Sequence, residues 1–101
     1  MKCVRIILLA TGSESLSRFS VMQTAYRCGV QGFVSRETRK KLLIEAEGSE
    51  VQVSEFLKSF HPWSFLIKAQ VVEVVETDIK NYKGFDIIKN VPVAEIASEA
   101  V

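Results

Sequence analysis

An α+β sandwich is the fold that this chain predicts, and three observations predict it. Lys2 to Ala10 and Lys68 to Thr77 are rich in β-branched and aliphatic residues, the composition of strands. Leu16, Phe19, Met22 and Tyr26, with Ala25 beside them, recur at helical spacing, and Val53, Phe56, Leu57 and Phe60 do so again. These patterns run in the order β-α-β-β-α-β with a final short strand. Two helices on one face of an antiparallel sheet in that order make a split βαβ, ferredoxin-like sandwich.

The elements follow one another with identifiable stops. Lys2 to Ala10 reads as a buried first strand, and Arg5 interrupts it too early for a secretory h-region. Thr11 to Ser17 is small and polar, a loop with several candidate helix caps. Gly29 stops the first helix in the usual C-terminal position. Val30 to Ser35 is a second strand and Arg36 to Lys41 a charged turn. In the third strand Leu42, Ile44 and Ala46 take one face, Lys41, Glu45 and Glu47 the other, and only Leu43 breaks the alternation. Gly48 ends it, Ser49 and Gln52 form a capping box, and Pro62 terminates the second helix. Gly84 to Ile88 is the short last strand. Residues 1–89 form the folded unit by this reading, and 90–101 a flexible tail.

At 101 residues the chain is one domain, and 48% hydrophobic with 25% charged residues is ordinary for a soluble one. A net charge of +1 gives no bulk electrostatic reason to expect nucleic acid or an anionic membrane as partner. The strand aromatics that ferredoxin-like RNA binders use are also missing. No stretch is long enough to span a membrane. Cys3 and Cys28 match no metal or redox spacing and read as free thiols in a reducing cytoplasm.

Arg18 is followed at fixed distances by Gly29-Val30-Gln31-Gly32-Phe33-Val34, by Glu45-Ala46-Glu47-Gly48, and by Tyr82-Lys83-Gly84-Phe85-Asp86-Ile87. In these stretches the chain resembles the acylphosphatase family. Its members run G-x-V-Q-G-V-x-F-R, a helix, G-L-x-G-x-V-x-N, a hairpin, E-A-E-G, a second helix and a closing strand ending in F-x-I. The resemblance covers residues 1 to 88. It implies hydrolysis of a carboxyl–phosphate anhydride, with no metal, cofactor or covalent intermediate. Catalysis would be positioning plus charge stabilisation.

The resemblance also implies site residues. Arg18 falls on the family's phosphate-binding arginine, and Arg36 falls where the family has its catalytic asparagine. The phosphate-binding stretch would be Ser13, Glu14, Ser15, Leu16, Ser17 and Arg18, with backbone N–H groups converging on a small phosphorylated or anionic ligand. Loop length is kept and Leu16 keeps an apolar anchor, but Glu14 replaces the glycine in the middle of the cradle. A carboxylate there repels a phosphate, by about 1 kcal/mol when solvated. Gly12 offers flexibility if the loop closes in a shifted register. The serines at 13, 15 and 17 could donate to an anion or serve as helix caps. Arg18 itself could equally be a surface arginine covering apolar surface with its stem.

Arg36 is the larger departure. Asparagine accepts from a water and donates to it, whereas arginine only donates. Added positive charge tightens ground-state binding of a dianion, which alone does not raise the chemical rate. The expectation is an acylphosphatase-like domain with an anion site and weak or lost hydrolysis. An active acylphosphatase, and a protein-interaction domain without anion binding, stay open beside it.

Other residues fit bland roles. His61 is the single histidine and sits at a helix end. Trp63, Phe65, Leu66 and Ile67 read as core cover, and Arg36, Arg39, Lys40 and Lys41 as a solvated basic turn. The run Val71-Val72-Glu73-Val74-Val75 is strongly β-prone, and on an open edge it could pair with another subunit.

Overall fold

The computed structural model of the chain describes residues 1–10, 17–61 and 67–88, with backbone alone at 61, 67 and 68. The expected sandwich is present. In chain order it comprises β1 (Lys2–Ala10), α1 (Arg18–Cys28), β2 (Gln31–Thr38), β3 (Lys41–Gly48), α2 (Glu50–Lys58), β4 (Phe60–His61), β5 (Ile67–Thr77) and β6 (Phe85–Ile88).

The strands lie in the order β4-β5-β1-β3-β2-β6. β1 runs antiparallel between β3 and β5, and β2 runs antiparallel to β3. The antiparallel sheet expected from the sequence is present, and at its edges β6 pairs parallel to β2 and the two-residue β4 pairs parallel to β5. A parallel partner needs a crossover rather than a hairpin. The segment between Thr77 and Phe85 supplies it, passing from β5 to the far edge, about four strand spacings of ~4.8 Å.

Side-chain alternation divides the sheet into two faces. Val4, Ile6, Leu8, Val34, Leu42, Ile44 and Ala46 form the core face, closed by Val21, Ala25, Val53, Phe56 and Phe85. α1 packs over β2 and β6, and α2 over β3 and β1. The Phe56 ring meets Phe60 edge-on at 4.8 Å and Phe85 at 6.0 Å.

Local stops work as their chemistry dictates. Gly29 takes a left-handed φ of 78° and its N–H closes the last turn of α1. Ser49 and Gln52 exchange both capping-box hydrogen bonds at the head of α2. Gly32 sits at φ 143°, against the backbone of Glu45, where any Cβ would collide with the Glu45 carbonyl oxygen.

Three expectations are corrected. The buried stripe of α1 is Val21, Thr24 and Ala25, while Phe19 and Tyr26 are 55% and 61% exposed. Val21 and Ala25, four apart and small, let the helix approach the sheet closely and leave the bulky rings at the flanks. β2 continues through Arg36 to Thr38, because Arg36 pairs with Leu42 and the ladder outlasts the hydrophobic pattern. The charged turn shrinks to Arg39 and Lys40. α2 ends at Lys58, since the N–H of Ser59 bonds to the Phe56 carbonyl and its hydroxyl to the Glu55 carbonyl. Phe60 and His61 leave the helix as β4. Pro62, Trp63, Phe65, Leu66 and the tail from 90 onward lie outside the described residues.

Candidate functional site

α1 begins beside the end of β1. Ser17 caps it from extended backbone, its hydroxyl accepting the Ser20 N–H at 3.2 Å, and the first turn carries no acidic residue. The positive pole of the helix therefore stands at Arg18 without an internal counter-charge in its first turn.

Arg18 is half-buried, and its Nη1 lies 3.5 Å from the carbonyl oxygen of Ile88, at the long end of a hydrogen bond. Ile88 is the last residue of β6 and pairs with Ser35. The next residue along β2 is Arg36, paired with Leu42, which in turn pairs with Leu8 near the end of β1. Arg36 follows the alternation of Gly32 and Val34 and so belongs to the helix side of the sheet. The N–H of Ala10 bonds to the Lys40 carbonyl at 2.8 Å, so β1 ends beside the β2–β3 turn. The backbone thus carries Arg18 and Arg36 to one end of the sheet, on one side of it.

Arg36 curls back on its own hairpin, where Nη1 donates to the Arg39 carbonyl at 2.9 Å. Ser13, Glu14, Ser15 and Leu16 lie outside the described residues. Ser17 lies within them and spends its hydroxyl on the helix cap.

The opposite face holds a constellation that the strand pattern alone did not reveal. Glu45 and Glu47, expected simply on the second face of their strand, are 2% and 1% exposed. The Glu47 carboxylate accepts three successive backbone N–H groups, those of Lys80 at 2.6 Å, Asn81 at 3.2 Å and Tyr82 at 2.9 Å. Glu45 accepts from the Tyr82 hydroxyl at 2.5 Å and pairs with Lys80 Nζ and Arg5 Nη2, both at 2.9 Å. Burial pushes both carboxyls up. Hydrogen bonds from Tyr82, Lys80 and Arg5 at Glu45, and from the 80–82 backbone at Glu47, outweigh it and hold both below the ordinary value. Tyr82 is pushed up by burial and by the Glu45 carboxylate it serves. The signal was present in the sequence as Glu45-Ala46-Glu47-Gly48, whose alternation aims two carboxylates at one face.

This clamp holds the crossover that delivers β6. β6 in turn touches α1 twice, through Arg18 on Ile88 and through the Tyr26 hydroxyl on the Phe85 carbonyl at 3.2 Å. A cleft of about 270 Å³ lined by Arg5, Ile7, Leu43, Glu73 and Val75 also lies on this clamp face, turned away from Arg36. Among the described residues no three His, Cys, Asp or Glu side chains gather as a metal site. No described helix is long and apolar enough to cross a membrane.

Fold, strand order and the placement of the first helix together define an acylphosphatase-like α+β domain. The acylphosphatase family model matches residues 17–87, and the chain belongs to that family. An acylphosphatase of Ligilactobacillus salivarius (strain UCC118) is 27% identical over 88 residues, covering 86% of this chain and 98% of that protein. The crystal structure of the Bacillus subtilis acylphosphatase superposes with a TM-score of 0.68 at 23% identity, over 87% of this chain and 99% of that one. Full-length HypF in its phosphate- and nucleotide-bound form superposes with a TM-score of 0.69 at 24% identity, over 87% of this chain but 12% of that one. At such identities these two likenesses speak for the fold. The family match includes Arg18 and Arg36 and, of the cradle stretch, takes in Ser17 and Arg18 alone.

Proposed function

We propose that this domain binds the phosphoryl group of a small anionic ligand at the end of the sheet where α1 begins, and that it hydrolyses acyl phosphates weakly or not at all. The observation that supports this reading is that the backbone brings Arg18, at the head of α1, and Arg36, on β2, to the same end of the sheet. A helix N-terminus and two guanidinium groups favour a dianion through dipole, charge and fork geometry. Arg36 stands where the family's catalytic asparagine is expected, and a guanidinium has no acceptor with which to orient an attacking water. Charge is thereby kept for binding while water positioning is lost. Glu14 in the cradle stretch works against binding, since a carboxylate repels the ligand's negative charge, and the two arginines offset it.

The test is hydrolysis of benzoyl phosphate by the purified chain, beside inorganic phosphate binding measured calorimetrically. Phosphate binding that disappears in Arg18→Ala, with hydrolysis near background, supports the reading. Turnover that Arg18→Ala abolishes would make the chain an active acylphosphatase. Absence of both binding and turnover would leave a scaffold kept for protein contacts.

A further inference from the structure

β5 is an edge strand for most of its length. Its inner neighbour is β1 from Ala69 to Thr77, and among the described residues its outer neighbour is β4 at Ile67 and Lys68 only. From Ala69 to Thr77 no strand among the described residues lies beside the outer N–H and C=O groups. Protected edges usually carry a lysine, a proline or a bulge. The run Ala-Gln-Val-Val-Glu-Val-Val-Glu-Thr has neither lysine nor proline. Its one irregularity lies opposite Ile7 and Leu8, which pair with Glu73 and Val71 and leave Val72 as the extra residue. Regular backbone therefore runs uninterrupted from Glu73 to Thr77. Val72, Val74 and Val75 are 46%, 43% and 45% exposed, although valine is a residue that strands bury.

We propose that this edge pairs with the same edge of a second copy of the chain, antiparallel about a two-fold axis at Val75. The charges choose the register. A two-fold axis perpendicular to the sheet sets a residue opposite itself, so an axis at Glu73 or Glu76 would oppose like charges, which is unfavourable. An axis at Val72 would need the edge at Lys68 that β4 already occupies. An axis at Val74 would set Val71 opposite Thr77, and the bulge places those two on different faces of the sheet. An axis at Val75 sets Val75 on Val75, Val74 on Glu76 and Glu73 on Thr77, with the faces matched and no carboxylates opposed. The result is one sheet continuous across two copies, an isologous contact of the kind that closes a dimer. Five paired residues bury less than the roughly 1,200 Å² of a standard interface, so the dimer is a concentration-dependent one.

Sedimentation equilibrium on the full chain tests this, beside Val75→Glu. The substitution opposes two carboxylates on the axis and sets a carboxylate beside Arg5, the β1 partner of Val75, so the fold is preserved. The expected result is a wild-type monomer–dimer equilibrium and a monomeric Val75→Glu with an unchanged circular-dichroism melt. Mild oxidation should also cross-link Val75→Cys and not Val72→Cys. A wild-type chain that stays monomeric over its soluble range overturns the proposal, as does a dimer that survives in Val75→Glu or a cross-link that forms only at Val72.

Discussion

The hydroxyl of Tyr82 donates to Glu45 Oε1 at 2.5 Å, beneath the sheet on the face away from the helices. Tyr82 also meets Phe33 edge-on at 6.0 Å, and its own N–H is held by Glu47. One aromatic residue in a connecting segment therefore bonds to two buried carboxylates of β3. Through them the crossover is fixed, and with it β6 and the carbonyl that Arg18 approaches.

Removing the hydroxyl tests that linkage. Tyr82→Phe leaves Glu45 with Lys80 and Arg5 but without its hydroxyl donor. A loss of about 1–3 kcal/mol in urea-denaturation stability is expected, the cost of a hydrogen bond to a charged group.

Acid should weaken the same clamp. Glu45 and Glu47 are held below the ordinary glutamate value of 4.5, so both bind protons less readily folded than unfolded. Their contribution to stability is full above about pH 4.5 and is lost as pH falls through the depressed folded values. Urea midpoints measured from pH 7 downward should fall below that point. Glu47→Gln should start lower at pH 7 and lose less on acidification, and parallel acid limbs in the two proteins would exclude Glu47 as the source.

Close backbone packing makes Gly32 intolerant of any side chain. Gly32→Ala would drive a Cβ into the Glu45 carbonyl at a φ of 143°. A destabilisation of at least about 2 kcal/mol is expected, read as a lowered thermal midpoint. A variant as stable as the parent would mean that β2 and β3 are further apart than described.

Arg36→Asn addresses the chemistry. It restores a side chain that can both accept from and donate to a water, and it removes one positive charge. At least about tenfold more benzoyl phosphate hydrolysis, with weaker phosphate binding, is expected. Weaker binding with no gain in rate would place the defect in the cradle stretch around Glu14 instead.

Much of the fold was legible because its signals are local. Gly29, Ser49 with Gln52, and the alternation Leu42, Ile44, Ala46 each act within a few residues of themselves. The apolar stripe of α1 was misjudged because hydrophobic spacing does not say how near a helix lies to its sheet. Phe19 and Tyr26 are the larger side chains, yet Val21 and Ala25 are the ones that fit the gap. The reach of β2 was misjudged for a related reason, since Arg36 looks like turn composition while its backbone is still paired with Leu42. The candidate site was legible in Arg18 and Arg36 through family spacing alone, because nothing in either residue's neighbours marks it out.

Periodicity, caps and the spacing from Arg18 to Gly84 were enough to establish the class of sandwich and the family, since these depend on contacts between residues near in sequence or on patterns repeated along it. The partners of Glu45 and Glu47 are decided only in three dimensions. They come from positions 5 and 80–82, far away along the chain, and a carboxylate is stabilised or penalised by whatever the fold brings within hydrogen-bonding distance. The same holds for Arg18, whose place beside Ile88 depends on a strand seventy residues later adding itself in parallel to β2.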